Sequence, residues 1–188
     1  MKPSPLELRG IRYNEASFKV PAEPKSSTVP AAVRIASASV MFSEDGNHIA
    51  EMRIENAPDF GVCDYQFHVE VVAWFGLDAE VACREYRAKG TAALVPVVAV
   101  NMSRILFASA REFLALVTSR ATAPALMIDS ILLEPGDIEI GSDLEPADML
   151  ATVFRAPEAE VDEFRRRWAT AIEEEGRPDL HKPHVATG

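Results

Sequence analysis

The residues able to do chemistry are few and scattered. Two of the four histidines, His181 and His184, stand in "HKPH" near the C-terminus, a spacing that would touch a divalent ion. No further ligand type lies near them in sequence to complete a site. His68 precedes Glu70 by two residues in an alternating segment, so the two share a wet face. They would serve there as a general-base pair or as the ordinary mixed-charge neighbours of a solvated strand, and we take the second reading. Cys63 and Cys83 are too few for a disulfide framework or a zinc cage and read as small buried apolar residues in separate strands. There is no Gly-rich phosphate loop, no G-x-S-x-G elbow and no H-E-x-x-H helix. The carboxylates are spread along expected helices and turns. The expectation is a protein that is not an enzyme, holds no metal and needs no cofactor.

Charge narrows the partners. A formal net charge of −10 over 188 residues argues against nucleic acid, because counterion release needs clustered Lys and Arg. Arg165, Arg166 and Arg167 do cluster, but Glu173, Glu174 and Glu175 follow on the same segment. That run reads as a solvated helix face, with an RNA-binding arm as the alternative. No apolar run approaches the ~20 residues of a membrane span, and "MKPSPLELRG" lacks the regions of a signal peptide. A cytoplasmic chain with no membrane insertion is expected. Its hydrophobic share is 48%, ordinary for a globular domain able to bury a core at this length.

The elements that must position any site begin with strands. Residues 6–21 read as one, ended by Pro21, and the Pro/Ser-rich 22–30 reads as a loop. Residues 31–42 and 49–56 form a hairpin around Asp45-Gly46. The clearest alternation is "CDYQFHVEV" (63–71), with Cys63, Tyr65, Phe67, Val69 and Val71 on one face. Residues 80–90 read as a further strand. "TAALVPVVAV" (91–100) reads as an apolar connection broken by Pro96, and 121–137 as an extended apolar cover punctuated by Pro124, Pro135 and Gly136. A short helix over 145–154 precedes a longer one over 157–175, where Val161, Phe164, Trp168 and Ile172 make a narrow stripe. Residues 177–188 read as a disordered tail.

Between the connection and the cover lies "SRILFASAREFLALVTSR" (103–120). Met102, Ile105, Leu106, Phe107, Ala110, Phe113, Leu114, Leu116 and Val117 sweep roughly 200° of a helix, about twice the usual core-facing stripe. Such a helix needs cover on two sides: its own sheet, and then a lid, a ligand or another copy of the chain.

An antiparallel sheet, an over-apolar helix and an apolar cover, in that order, resemble the SecB family of export chaperones over about residues 8–136. "IRYNEASFKVP" (11–21) resembles that family's first strand and "DYQFHVEVVAWFG" (64–76) its third, while "CREYRAKG" (83–90) sits where the family has a strand ending in glycine. In "ILFASAREFLALVTSRATAPAL" (105–126), Ile105, Leu106, Phe107, Ala110, Arg111, Glu112, Ser119, Arg120 and Pro124 match in order. The family's Pro-Tyr is Ala108-Ser109 here, its Pro-Asn is Ser103-Arg104, and its closing Gly is Ala121. A longer 30–65 stretch with an extra hairpin strand and an added C-terminal helix also mark a divergent member.

The resemblance implies an α+β fold: a SecB-like antiparallel sheet of four strands plus an extra hairpin strand, packed on a long helix. It implies a chaperone domain over 1–140, a helical extension over 141–176 and the tail. It implies edge-strand pairing and a homotetramer built as a dimer of dimers. Leu106, Phe107, Ala110, Phe113, Leu114 and Val117 would then form the oligomer-interface helix, and four chains would carry roughly −40 charges. The implied function is an ATP-independent holdase for the Sec pathway, with unfolded polypeptides held in a groove lined by Val33, Ile35, Leu126, Ile128, Ile131 and Leu132. The SecA motor would dock on Glu15 and Glu85, where Lys19 reverses a charge and Cys83 replaces an apolar residue. Two alternatives stay open: a chaperone dedicated to one partner such as an antitoxin, using the 157–175 helix, and a small-ligand-binding α+β domain.

Overall fold

A computed structural model describes residues 6–19, 33–56, 65–78, 80–81, 90–121 and 125–175. Four long strands come first: β1 (Leu6–Lys19), β2 (Val33–Phe42), β3 (His48–Asn56) and β4 (Gln66–Leu77). Alternation creates them. In β3, His48, Ala50, Met52 and Ile54 are buried while Glu51 and Arg53 face water. In β4, Phe67, Val69, Val71, Ala73 and Phe75 form the dry face expected from the sequence. The β2–β3 turn uses Gly46 at φ 74°, a conformation that costs a residue with a Cβ, and the Asp45 carboxylate accepts the Asn47 N–H at 2.7 Å.

The sheet order is β1-β4-β3-β2-β5, with the first four strands antiparallel. The fifth strand, β5 (Glu139–Ser142), runs parallel to β2 and was not expected from the sequence. Four residues are too short to show a period, and the partner strand lies about a hundred residues away. At Gly141 the Met41 side chain lies over the strand where a Cβ would stand. With β2 covered on both sides, the edges among the described strands are the long β1 and the four-residue β5.

The long helix α1 (Leu94–Thr118) starts earlier than the sequence suggested. Pro96 does not break the apolar connection; it occupies the first helical turn, where its missing N–H has no intrahelical acceptor to lose. Counting the preceding 3-10 turn Thr91–Ala93, this helix is long and apolar enough to cross a membrane, contrary to the expectation that no run approaches such a length. Its apolar face is instead packed on β2, β3 and β4. Glu80 and Val81 are helical rather than extended, and residues 82–89 of the strand expected over 80–90, Glu85 and Cys83 included, lie outside the described residues, as does Cys63.

After α1, residues 125–134 run extended, and a 3-10 turn (Pro135–Asp137) leads into β5. Helices α2 (Pro146–Thr152) and α3 (Glu158–Glu175) follow, close to the two helices expected there. Met149 and Leu150 of α2, Phe154 just after it and Val161 of α3 join the same apolar core as the sheet and α1. Glu160 fastens α3 to the start of α1: its carboxylate accepts from the Thr91 backbone N–H and, at 3.0 Å, from the Thr91 hydroxyl. An anion at that end also suits the helix dipole. The fold is α+β, a mixed five-stranded sheet with a long helix and a C-terminal helix.

Candidate functional site

The surface around α1 is the candidate. Its cover is the extended segment 126–133, which runs back along the helix and is clamped at three points. The Thr118 hydroxyl accepts the Leu126 N–H at 2.8 Å, the Arg111 guanidinium donates to the Ser130 hydroxyl at 3.0 Å, and Arg104 reaches the Leu133 carbonyl at 3.4 Å. Residues 104, 111 and 118 are two turns apart, so they share one side of the helix. Fourteen helical residues rise about 21 Å, and seven extended steps span about 23 Å, so strap and helix stay in register. Leu126, Ile128 and Leu133 point inward and are buried, while Met127 and Leu132 point out, 67% and 76% exposed.

The other flank of α1 faces the free strand. Tyr13 of β1 stacks on Phe113 at 4.3 Å between ring centroids, and its hydroxyl donates to the Ser109 carbonyl at 2.9 Å. Register places Leu8 opposite Phe75 and Phe18 opposite Phe67, both on the helix side of the sheet. The helix covers β2 to β4 and leaves this overhang partly bare: Leu8 is 45% and Phe18 43% exposed. Leu116, one turn beyond Phe113 on the same side of α1, is 58% exposed. β1 itself carries register shifts between Leu8 and Gly10 and between Tyr13 and Glu15.

The residues singled out in the sequence fall as follows. Leu126 and Ile128 are core; Val33, Ile35 and Ile131 pack against that core half-buried. These five share one cluster, and Leu132 stands outside it, facing water. Leu106, Phe107, Ala110 and Leu114 are buried within the single chain, by the sheet and the strap together, whereas Phe113 and Val117 are half-buried. Leu8 and Phe18 were missed. The extra residue at Asn14 throws Tyr13 and Phe18 onto one face although an odd number of positions separates them, and simple alternation hides that.

The outer face of the sheet is polar. Glu15 sits opposite Glu70, and His68 lies between Ser17 and Glu55. His68 Nε2 is 3.8 Å from Glu15 and Nδ1 4.0 Å from Glu55, while Arg53 pairs with Glu70 and Arg34 with Glu55, each at 3.3 Å. Lys19 lies at the end of β1 opposite Gln66. His48 is a different case, buried between Phe42 and Phe75 with Nδ1 accepting the Ser43 N–H at 3.2 Å. Burial first, and the Arg9 charge second, hold its pKa below the usual value of 6.5.

No family model matches the chain, and no curated protein matches it. Among solved structures, the fold is similar to a SecB-like chaperone of Mycobacterium tuberculosis, Rv1957, solved in complex with a ChAD peptide from the HigA1 antitoxin. The identity is 14% and the TM-score 0.45, over 68% of this chain and 91% of that one.

Proposed function

We propose that the protein is an ATP-independent holdase that keeps unfolded polypeptide on the apolar surface flanking α1. The observation that carries this reading is the set of large side chains left uncovered there: Leu8, Phe18 and Leu116 on the β1 flank, Met127 and Leu132 on the strap. Apolar burial is non-directional and stabilises by about 25 cal/mol per Å², so aliphatic and aromatic side chains hold many sequences without reading one. The negative chain supports the role, since its charge keeps an apolar surface soluble and attracts basic client segments. The resemblance of residues 105–126 to the SecB helix supports it independently.

Copies would pair through the β1 edges and assemble as a tetramer. Edge pairing consumes backbone N–H and C=O groups and leaves Leu8 and Phe18 facing the helix side, so joined sheets would extend the channel. Delivery would be to the Sec translocase in the cytoplasm, with Glu15 and Glu85 contributing to a SecA dock. Incubating the protein with a slowly folding client while following light scattering tests the holdase reading. Suppressed aggregation at stoichiometric excess is expected; unchanged scattering ends it.

A second reading, a chaperone dedicated to one partner such as an antitoxin, is favoured by the far end of α3. Phe164 and Trp168 stack at 5.6 Å and Ile172 is exposed, an apolar end that the holdase reading does not use. A client panel separates the two: broad suppression favours the general holdase, and activity toward a single disordered partner favours the dedicated one.

A further inference from the structure

We propose that the solvent face of the sheet carries a divalent-metal site, suited to zinc, formed by Glu15, His68 and Glu70. The three ligand atoms lie within 4.8 Å of one another, with His68 Nε2 3.8 Å from the Glu15 carboxylate. Tetrahedral zinc at about 2.1 Å from each ligand needs spacings of roughly 3.4 Å. The closure required is at most about 1.4 Å, and Glu15, whose side chain is 61% exposed, is free to make it by rotating.

Register explains why these three meet. Glu15 and Glu70 are direct cross-strand partners of β1 and β4, and His68 is one same-face step along β4. Two carboxylates directly opposed are unfavourable neighbours, and with Glu55 nearby the patch holds three carboxylates against Arg53 and Arg34. A divalent cation relieves that repulsion. Glu70 is already oriented, with Asn14 donating to one oxygen at 3.1 Å and Arg53 to the other at 3.3 Å. Each oxygen keeps a second lone pair for a metal. Glu55 stands on the far nitrogen of the same ring at 4.0 Å. Closing that gap to a hydrogen bond would give the carboxylate–imidazole–metal arrangement that orients metal-bound histidines. One imidazole with two carboxylates selects a borderline metal such as zinc over calcium or magnesium, which prefer all-oxygen shells. Glu15 lies 53 positions from His68 in the chain, so no spacing in the sequence announces the set.

Titrating chelator-treated full-length protein with zinc chloride by calorimetry tests the proposal. One equivalent per chain is expected, with His68→Gln weakening binding at least a hundredfold and Glu55→Gln about tenfold. The variants change outward-facing groups, and unchanged thermal unfolding of the metal-free proteins verifies their folding. His181→Ala/His184→Ala is expected to keep the affinity. Absence of binding, equal binding by His68→Gln, or loss of binding in the tail variant (an adventitious ion only) would each overturn the site. Client scattering is a separate readout, so the holdase reading stands or falls apart from this one.

Discussion

Ser103 sits within α1, fully buried, and its hydroxyl has no hydrogen-bond partner among the described residues. An orphaned buried hydroxyl keeps its desolvation cost without a compensating bond. Ser103→Ala should therefore stabilise the fold by about 1 kcal/mol, read as a higher urea midpoint at unchanged slope. His48 makes the opposite kind of statement. Its folded pKa is depressed by burial, so below pH 6.5 the unfolded chain binds more protons than the folded one. Stability is expected to be full above that value and to fall as pH drops below it toward the lowered folded pKa. His48→Asn, which keeps an acceptor for the Ser43 N–H without a titrating ring, should flatten that slope in denaturation curves measured between pH 7 and 5. The sequence placed His48 in the turn just before the 49–56 strand; that it begins β3 and that its ring is enclosed by Phe42 and Phe75 depends on pairings far along the chain.

At the scale of elements, the helix poses the question that the strap answers. An apolar arc of roughly 200° cannot be covered by a sheet alone, and the sequence left a lid, a ligand or another copy as the remaining cover. The chain's own 126–133 segment supplies much of it, burying Leu126, Ile128 and Leu133. Thr118 is its buried anchor, donating to the Leu114 carbonyl at 2.7 Å while accepting the Leu126 N–H. Thr118→Val keeps the shape and leaves that buried N–H unpaired, so a loss of about 1–3 kcal/mol is expected, with Thr118→Ser close to wild type. Thermal unfolding of the pair checks it. The periodic elements were legible in the sequence because one strand or helix carries its own pattern: Val69 alternating with Glu70, Phe107 with Leu114. What escaped was decided by distant partners or local exceptions. β5 exists only beside β2, the extra residue at Asn14 shifts the face of Tyr13, and Pro96 is harmless only because the helix begins two residues before it.

For the whole molecule, the balance lies between cover and exposure. The interior is closed by Phe42, Phe75, Phe154, Met149 and their neighbours, while most of the bare large apolar side chains among the described residues gather around α1 and on β1, with Met41 and Ile172 apart from them. The candidate site was legible only in part: the helix and the strap could be named from the sequence, but Leu106 and Leu114 prove internal and Leu8 and Phe18 carry the open flank. If edges pair, a proline in β1 at a position whose N–H points away from β4 should lower the mass measured by light scattering after size exclusion, and an unchanged assembly would exclude that pairing. The client surface has a more direct test. Phe18→Glu/Leu116→Glu places charges at two exposed positions where the fold does not need the apolar groups. Fluorescence anisotropy with a labelled, permanently unfolded polypeptide should then show affinity reduced at least tenfold, since each large apolar side chain contributes roughly 1.5–3 kcal/mol when buried. Equal affinity in the wild-type and doubly substituted proteins would contradict the account.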